Sequence, residues 1–470
     1  MDLELLAKFQ QIYKDLDLFP LVEAEDIEKF RVDYGLEVKV RLRREIEASE
    51  KNGKFIFAGH RGCGKSTLLK RLANEMADRH YVVFFSIANL IEMTAVTHTN
   101  ILYAIALLML SHAQKLGDID KDIHETILGW TAHQQTKDEE ARGKSGVEIE
   151  FLPVLTSKLQ TEMSFRDELE TNFVKKISDL VSKIDRLAAT IQIKTQKPVI
   201  VIIDDLDKLD LSLVEAIYRN NIKALFLPQI RIVFTISIPA IRDPQIMGAL
   251  NSEGVVRPHL FPVTKFFPKD DRHNPEVEPI AKNLNVFLKV LEKRIPEGLI
   301  EPQTARAMVL KSGGVMRELV RIARECCTEC MVQIEIEPDR EDIMIDEEIL
   351  NAALQNLRHD FTRQIGLSLY DLLVEVYETA EAVNDANFIR MLQALMILEY
   401  ENASLWYDLH PIVADLLKQK KLIDSEISRA SFNDSEISGA SFNFNISHDS
   451  HRRKEALLER INKELAKLEE

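Results

Sequence analysis

Residues 59 to 66 read Gly-His-Arg-Gly-Cys-Gly-Lys-Ser, a complete G-x-x-x-x-G-K-S pattern. No other stretch restricts the possible folds as strongly. The apolar run Phe55-Ile56-Phe57-Ala58 leads into it, and Leu68, Leu69, Leu72, Ala73 and Met76 follow at three- and four-residue spacing. The spacing predicts a strand, a glycine-rich turn and a helix in that order. Gly59, Gly62 and Gly64 let the backbone wrap with its N–H groups inward, which makes a nest for anionic oxygens. The helix opening near Lys65 adds its positive dipole end. Lys65 can then reach the β- and γ-phosphates of a nucleotide, and Ser66 can offer its hydroxyl to Mg²⁺.

A site of this kind needs an acidic partner. Val199-Ile200-Val201-Ile202-Ile203-Asp204-Asp205 is a continuous apolar run ending in carboxylates. It reads as a buried parallel strand with its polar tip at the carboxyl edge of the sheet, where ligands bind in open α/β folds. Asp204 is placed to hold the Mg²⁺ shell. Asp205 is the candidate base for the attacking water. Asp207 reads equally as a site acid or as a helix-start carboxylate, and Asp210 as the latter.

At 470 residues the chain can bury several domain cores. The net charge of −16 disfavours a surface broadly dedicated to nucleic acid, although a local basic face remains open. Four cysteines, Cys63, Cys326, Cys327 and Cys330, suit a reducing compartment rather than a disulfide framework. The cluster of three reads as helix packing, because no second Cys/His pair lies near for a metal. The start, Met1-Asp2-Leu3-Glu4-Leu5-Leu6, is acidic and periodic, unlike a signal peptide. The apolar stretch Ile101 to Leu110 is too short to span a bilayer. A cytoplasmic protein without a membrane partner is expected.

Along the chain, residues 1–50 read as helical, interrupted by Leu18-Phe19-Pro20-Leu21-Val22, an apolar segment suited to packing near a nucleotide base. Residues 51–272 form the predicted α/β core. Further strands at Tyr81–Ile87, Arg231–Ile236 and His259–Lys265 complete a five-stranded, mostly parallel sheet. The core holds a long insertion, about 90–197, with an apolar helix, a polar loop at Gln134–Val147 and a long amphipathic helix from Phe165 to Ile191. Residues 273–345 read as a helical lid. There Ser312-Gly313-Gly314 opens a helix that carries Arg317, whose fork can bind phosphate. Residues 346–424 have winged-helix order, with a hairpin at Ile397–Tyr400 and Leu405–Leu409. Residues 425–447 hold a short pentapeptide-like repeat, in which Ile427, Phe432, Ile437 and Phe442 recur every fifth residue. Residues 448–470 read as an amphipathic helix, by default a solvated terminal one, with a partner or a second copy as the alternative for its apolar side.

Across roughly residues 50 to 420 the chain resembles P-loop ATPases of the AAA+ and STAND group. Gly59-His60-Arg61-Gly62-Cys63-Gly64-Lys65-Ser66-Thr67 is similar to the loop of bacterial ATPases of this kind, and Asp204-Asp205-Leu206 to the acidic strand end of STAND switches. The resemblance implies a nucleotide contact for each residue of that loop. It makes Thr235, or Ser237, the reader of the γ-phosphate and Arg317 the lid arginine. Trp406-Tyr407-Asp408-Leu409-His410-Pro411 resembles the segment in which a His contacts bound ADP, which brings in His410; Pro411 stands where that segment has Asp. Gly-Gly-x-x-Arg is closer to the origin-recognition type. Arg257, with Arg242 as alternative, sits where AAA+ proteins carry an arginine finger for a neighbouring subunit. ATP and Mg²⁺ are the implied cofactors.

The leading expectation is an ATP-binding and ATP-hydrolysing switch whose nucleotide state controls self-assembly or engagement of a separate effector, in bacterial defence or signalling. Two alternatives stay open. One is a DNA-associated ATPase using its winged helix, with Lys418, Lys420 and Lys421 as local support. The other is a nucleotide-binding scaffold without significant turnover.

Overall fold

The computed structural model describes residues 3–423, apart from 22, 121, 124–126, 128–150, 174–176, 341, 402 and 403. The predicted loop at Gln134–Val147, the pentapeptide-like repeat and the C-terminal helix lie outside the described residues.

Five strands form one sheet: β1 (Lys54–Gly59), β2 (Tyr81–Ser86), β3 (Val199–Asp204), β4 (Arg231–Ile236) and β5 (His259–Phe261). Their order is β2-β3-β4-β1-β5, and every pair is parallel. This is an α/β P-loop NTPase core. β4 separates the strand of the phosphate loop from the acidic strand, and all carboxyl ends point one way. β5 stops at Phe261, earlier than the predicted Lys265. Pro262 has no N–H for the ladder, and the Thr264 N–H donates instead to the Gly314 carbonyl at 3.3 Å.

The helices before the sheet are α1 (Leu3–Asp15), α2 (Ala24–Phe30) and α3 (Leu36–Ala48); α4 (Lys65–Met76) follows β1. The insertion contributes α5 (His98–Lys115), α6 (Phe151–Thr161), α7 (Met163–Phe173) and α8 (Ile177–Thr195). The single long amphipathic helix expected from Phe165 falls, among the described residues, into α7 and α8. Between β3 and β5 come α9 (Leu211–Val214), α10 (Ile222–Phe226), α11 (Ile238–Ile241) and α12 (Pro244–Ser252). Beyond the sheet run α13 (Ala281–Glu292), α14 (Pro302–Lys311), α15 (Met316–Ile336), α16 (Glu347–Gln364), α17 (Tyr370–Thr379) and α18 (Ala386–Gln393). An antiparallel hairpin, β6 (Ile397–Glu401) and β7 (Leu405–Leu409), and α19 (Pro411–Gln419) follow.

Strand alternation assigns the two sheet faces. Val199, Val201 and Ile203 of β3 pack with Ile101, Ile105, Ile184 and Leu187 of the insertion. The apolar stripe of α8 is thus covered by α5 of the same chain. Ile200 and Ile202 face the other way, onto Leu42 of α3, Leu69 and Leu72 of α4, and Leu398, Tyr400 and Trp406 of the hairpin. A third core joins α1 to the C-terminal helices through Phe9, Phe287, Leu319, Leu354 and Leu373. Cys326, Cys327 and Cys330 lie in it, buried and unbridged, and burial raises all three thiol pKa values. Among the described residues no helix is long and apolar enough to cross a membrane.

Candidate nucleotide-binding site

The turn after β1 delivers Lys65 to the carboxyl edge of the sheet, at the start of α4. Gly62 takes φ +80°, and a Cβ there would stand 2.7 Å from Arg317 Cβ. Only glycine lets the loop lie this close to α15, and the Arg317 N–H donates to the Gly62 carbonyl at 2.9 Å. Gly314 also has φ +80°; a Cβ there would meet the Thr264 carbonyl oxygen at 1.7 Å. The expected glycine pair therefore seats the start of α15 on both the phosphate loop and the segment after β5.

The Lys65 ammonium is 95% buried and fully engaged. It donates to the carbonyls of Gly59 at 3.0 Å and His60 at 2.7 Å, and pairs with Asp207 Oδ2 at 2.8 Å. Asp204, Asp205 and Asp207 each bring an oxygen within 4.8 Å of the others. Burial and its two acidic neighbours push the Asp204 carboxyl up to about 6, against a hydrogen bond from the Ser66 hydroxyl. Asp205 takes φ +69°, which turns its carboxylate toward Ser86 Oγ at 2.6 Å and Lys208 Nζ at 2.6 Å. Three clustered carboxylates beside a hydroxyl and two ammonium groups, Lys65 and Lys208, are an oxygen-rich donor set that suits a hard divalent cation. The chemistry of these residues fits a divalent cation such as Mg²⁺.

One cavity of about 160 Å³ is lined by Arg61, Gly62, Gly64, Lys65, Ser66 and Thr67 of the loop, by Asp205, Asp207 and Lys208, and by Arg317 beside Gly62. Among the described residues the Arg317 guanidinium has no hydrogen-bond or ion-pair partner. Leu18, Phe19, Pro20 and Leu21 form an apolar wall, as the sequence suggested, and the Leu21 N–H donates to Thr67 Oγ1 at 3.1 Å. Arg294, in the turn just after α13, fixes that wall. It donates to the carbonyls of Asp15 at 3.2 Å and Phe30 at 3.4 Å and lies over the Phe30 ring. Sequence reasoning missed Arg294, because only the fold brings α13 to the N-terminal segment. It left Asp207 undecided, although the Asp204-x-x-Asp207 spacing was a usable signal.

Several expected contacts are not brought to the cavity. The His60 ring turns away and accepts from the Glu399 N–H of β6 at 3.0 Å. Burial and the Lys65 charge push its pKa down to about 3, so it stays neutral. Gly59 and Cys63 also lie behind the loop: Gly59 backs onto the Phe261 carbonyl, and the Cys63 thiol is buried in the core and raised to about 12. Thr235 is fully buried; its hydroxyl accepts from the Leu206 N–H at 2.9 Å and donates to the Ile203 carbonyl at 3.3 Å. It shapes the turn that carries Asp205 and Asp207 and does not line the cavity. His410 is fully buried and caps α19, with Nδ1 accepting from the Ile412 N–H at 3.3 Å and Nε2 lying 3.8 Å from Glu318. Arg257 is exposed just before β5, the edge strand, and outside the cavity. Arg242 is held within the chain by Glu399 at 3.1 Å. Asp210 precedes α9 without a capping hydrogen bond.

Residues 46–235 match the KAP family P-loop domain. The chain therefore carries a P-loop NTPase domain. Among solved structures it is similar to Cdc6p from Pyrobaculum aerophilum, at 12% identity and a TM-score of 0.35, over 86% of this chain and 97% of that one. It is also similar to the Drosophila ORC bound to DNA, at 11% identity and a TM-score of 0.33, over 87% and 91%. No curated protein matches the chain.

Proposed function

We propose that the protein binds ATP with Mg²⁺ in the cavity between the phosphate loop and α15, hydrolyses it, and uses the two nucleotide states as a switch. One observation carries this reading: Lys65, Ser66, Asp205, Asp207 and Arg317 converge on a single cavity that also has an apolar wall, and Asp204 clusters with the two lining aspartates. The loop N–H groups and the α4 dipole suit the phosphate chain. Lys65 and Arg317 both line the cavity, so the γ-phosphate would be held by core and lid together. Residues 273–345 would act as that lid and 346–424 as a winged-helix-like unit. A Mg²⁺ held by Ser66 and Asp204 would supply charge neutralisation for the phosphate oxygens. Asp205 and Asp207 are the two carboxylates able to orient a water and take its proton. Asp205 would first release Ser86 or Lys208. The Leu18–Leu21 wall suits the flat face of a base.

The test is nucleotide binding and phosphate release by the purified chain, with Lys65→Ala and Asp205→Asn alongside. The reading requires Lys65→Ala to lose binding and Asp205→Asn to bind but turn over at least about 100-fold more slowly. Unchanged turnover in Asp205→Asn would leave Asp207 as the base, or, if Asp207→Asn is also unchanged, a site that binds without hydrolysis.

Self-assembly is the switch output that the chain itself can provide. Arg257 is exposed at the sheet edge, where a second copy could meet it.

A further inference from the structure

Strand β6 touches both walls of the nucleotide cavity from behind. The Glu399 N–H donates to His60 Nε2 at 3.0 Å. The carbonyl of the same His60 accepts from Lys65 at 2.7 Å. One residue on, the Tyr400 hydroxyl donates to the Gly313 carbonyl at 2.7 Å. One residue back, Leu398 packs so close that a Cβ on Gly313 would meet its Cδ1 at 2.7 Å. Gly313 lies in the turn that seats Arg317. Three consecutive residues of β6 thus contact the phosphate loop and the base of the lid arginine.

The strand is also pinned to the core. The Glu399 carboxylate is 95% buried, pairs with Arg242 at 3.1 Å and accepts from the Tyr407 hydroxyl at 2.8 Å. The Arg242 guanidinium in turn lies over the rings of Tyr407 and Phe388, 4.7 and 5.3 Å from their centroids.

We infer that β6 is the element that reads nucleotide occupancy, with His60 and Glu399 as the positioning residues that couple the phosphate loop to the hairpin. The inference rests on the nucleotide reading above and deepens it. An ammonium has three donors, and all three of Lys65 are in use, on Gly59, His60 and Asp207. A phosphate oxygen gains Lys65 only when one of these lets go. Two of the three are the carbonyls that flank the start of the loop, and one belongs to His60. A change there moves the residue whose ring holds Glu399. On the other wall, an anion that draws Arg317 inward pulls on the turn whose carbonyl holds Tyr400. Coupling of this kind is reciprocal, so hairpin docking changes nucleotide affinity by the factor that nucleotide changes docking.

Amide hydrogen exchange of the full chain, with and without saturating Mg·ADP, tests this. In the wild type, Mg·ADP changes the exchange rate of β6 by at least about 5-fold. His60→Leu, which has no acceptor, still binds Mg·ADP but loses the β6 response and shifts nucleotide affinity by a similar factor. His60→Gln, whose side-chain oxygen can accept from the Glu399 N–H, restores both. Tyr400→Phe, which removes one hydroxyl from a packed ring, weakens the response independently and serves if His60→Leu does not fold. Wild-type protein that binds Mg·ADP with β6 exchange unchanged would overturn the inference and leave the nucleotide reading intact. The same holds if His60→Leu and Tyr400→Phe both respond as wild type. Wild-type protein that binds no nucleotide would remove the nucleotide reading and the inference with it.

Discussion

Lys65 is the residue on which the site turns, and its charge is answered by Asp207. Removing one partner of a buried ion pair leaves the other uncompensated. Asp207→Asn should therefore destabilise the nucleotide-free protein by about 2–4 kcal/mol, with part of the loss offset by relief of Asp204 and Asp205. Chemical denaturation with and without Mg·ADP measures this; the loss should shrink when nucleotide phosphates take over Lys65. Gly314→Ala should cost at least about 2 kcal/mol, because its Cβ has no room beside the Thr264 carbonyl and φ +80° is strained for alanine. Denaturation of that variant measures it, and a loss below about 0.5 kcal/mol would contradict the close approach. At this scale the sequence was legible where chemistry is local. The loop, the acidic strand end and Arg317 were all readable. The directions of His60, Thr235 and His410 were not, because a motif gives a residue's place on the backbone and only packing decides where its side chain points.

Among the elements, the β6–β7 hairpin has the most to reveal under a change of pH. Burial pushes the Glu399 carboxyl up to about 7, with Arg242 opposing. A carboxyl raised in the folded state from about 4.3 binds its proton more tightly there than in the unfolded chain. Its contribution is full below the unfolded value and is lost as pH rises through about 7. The groups facing it are Arg242, Tyr407, Glu401 and the neutral His60. His60, depressed to about 3, acts in the opposite sense: its contribution is lost as pH falls through the ordinary histidine range. Relative to Glu399→Gln, wild-type stability in thermal unfolding should decline as pH rises from about 4.5 to 7.5 and run parallel above that. Parallel slopes across the whole range would show that Glu399 does not titrate in the docked hairpin. All five core strands were legible as apolar runs, and the hairpin as two runs around a polar turn. The early end of β5 was not, because it depends on a hydrogen bond to Gly314, far along the chain.

At the scale of the molecule, three cores are found among the described residues, and one of them joins α1 to α15 and the C-terminal helices. The N-terminal segment that walls the cavity is therefore held by the same core as the lid. Arg294→Ala should loosen this joint and weaken nucleotide binding by about 5- to 50-fold while leaving the phosphate-loop geometry intact; titration of a fluorescent nucleotide measures it. Assembly belongs to this scale too. Light scattering of the protein in Mg·ADP and then in a non-hydrolysable ATP analogue should show growth only with the analogue, and Arg257→Ala should lower turnover in the assembled state. An unchanged mass in both states would move the switched object from a second copy to a separate partner. Domain-scale joints of this kind are invisible to periodicity, which reports one element at a time.

The central claim is tested most directly by titrating Mg·ATP into the wild-type chain and into Lys65→Ala by calorimetry. Saturable one-to-one binding by the wild type, weakened at least about 100-fold by Lys65→Ala, is the predicted result. No binding by the wild type, or equal binding by both, would contradict it.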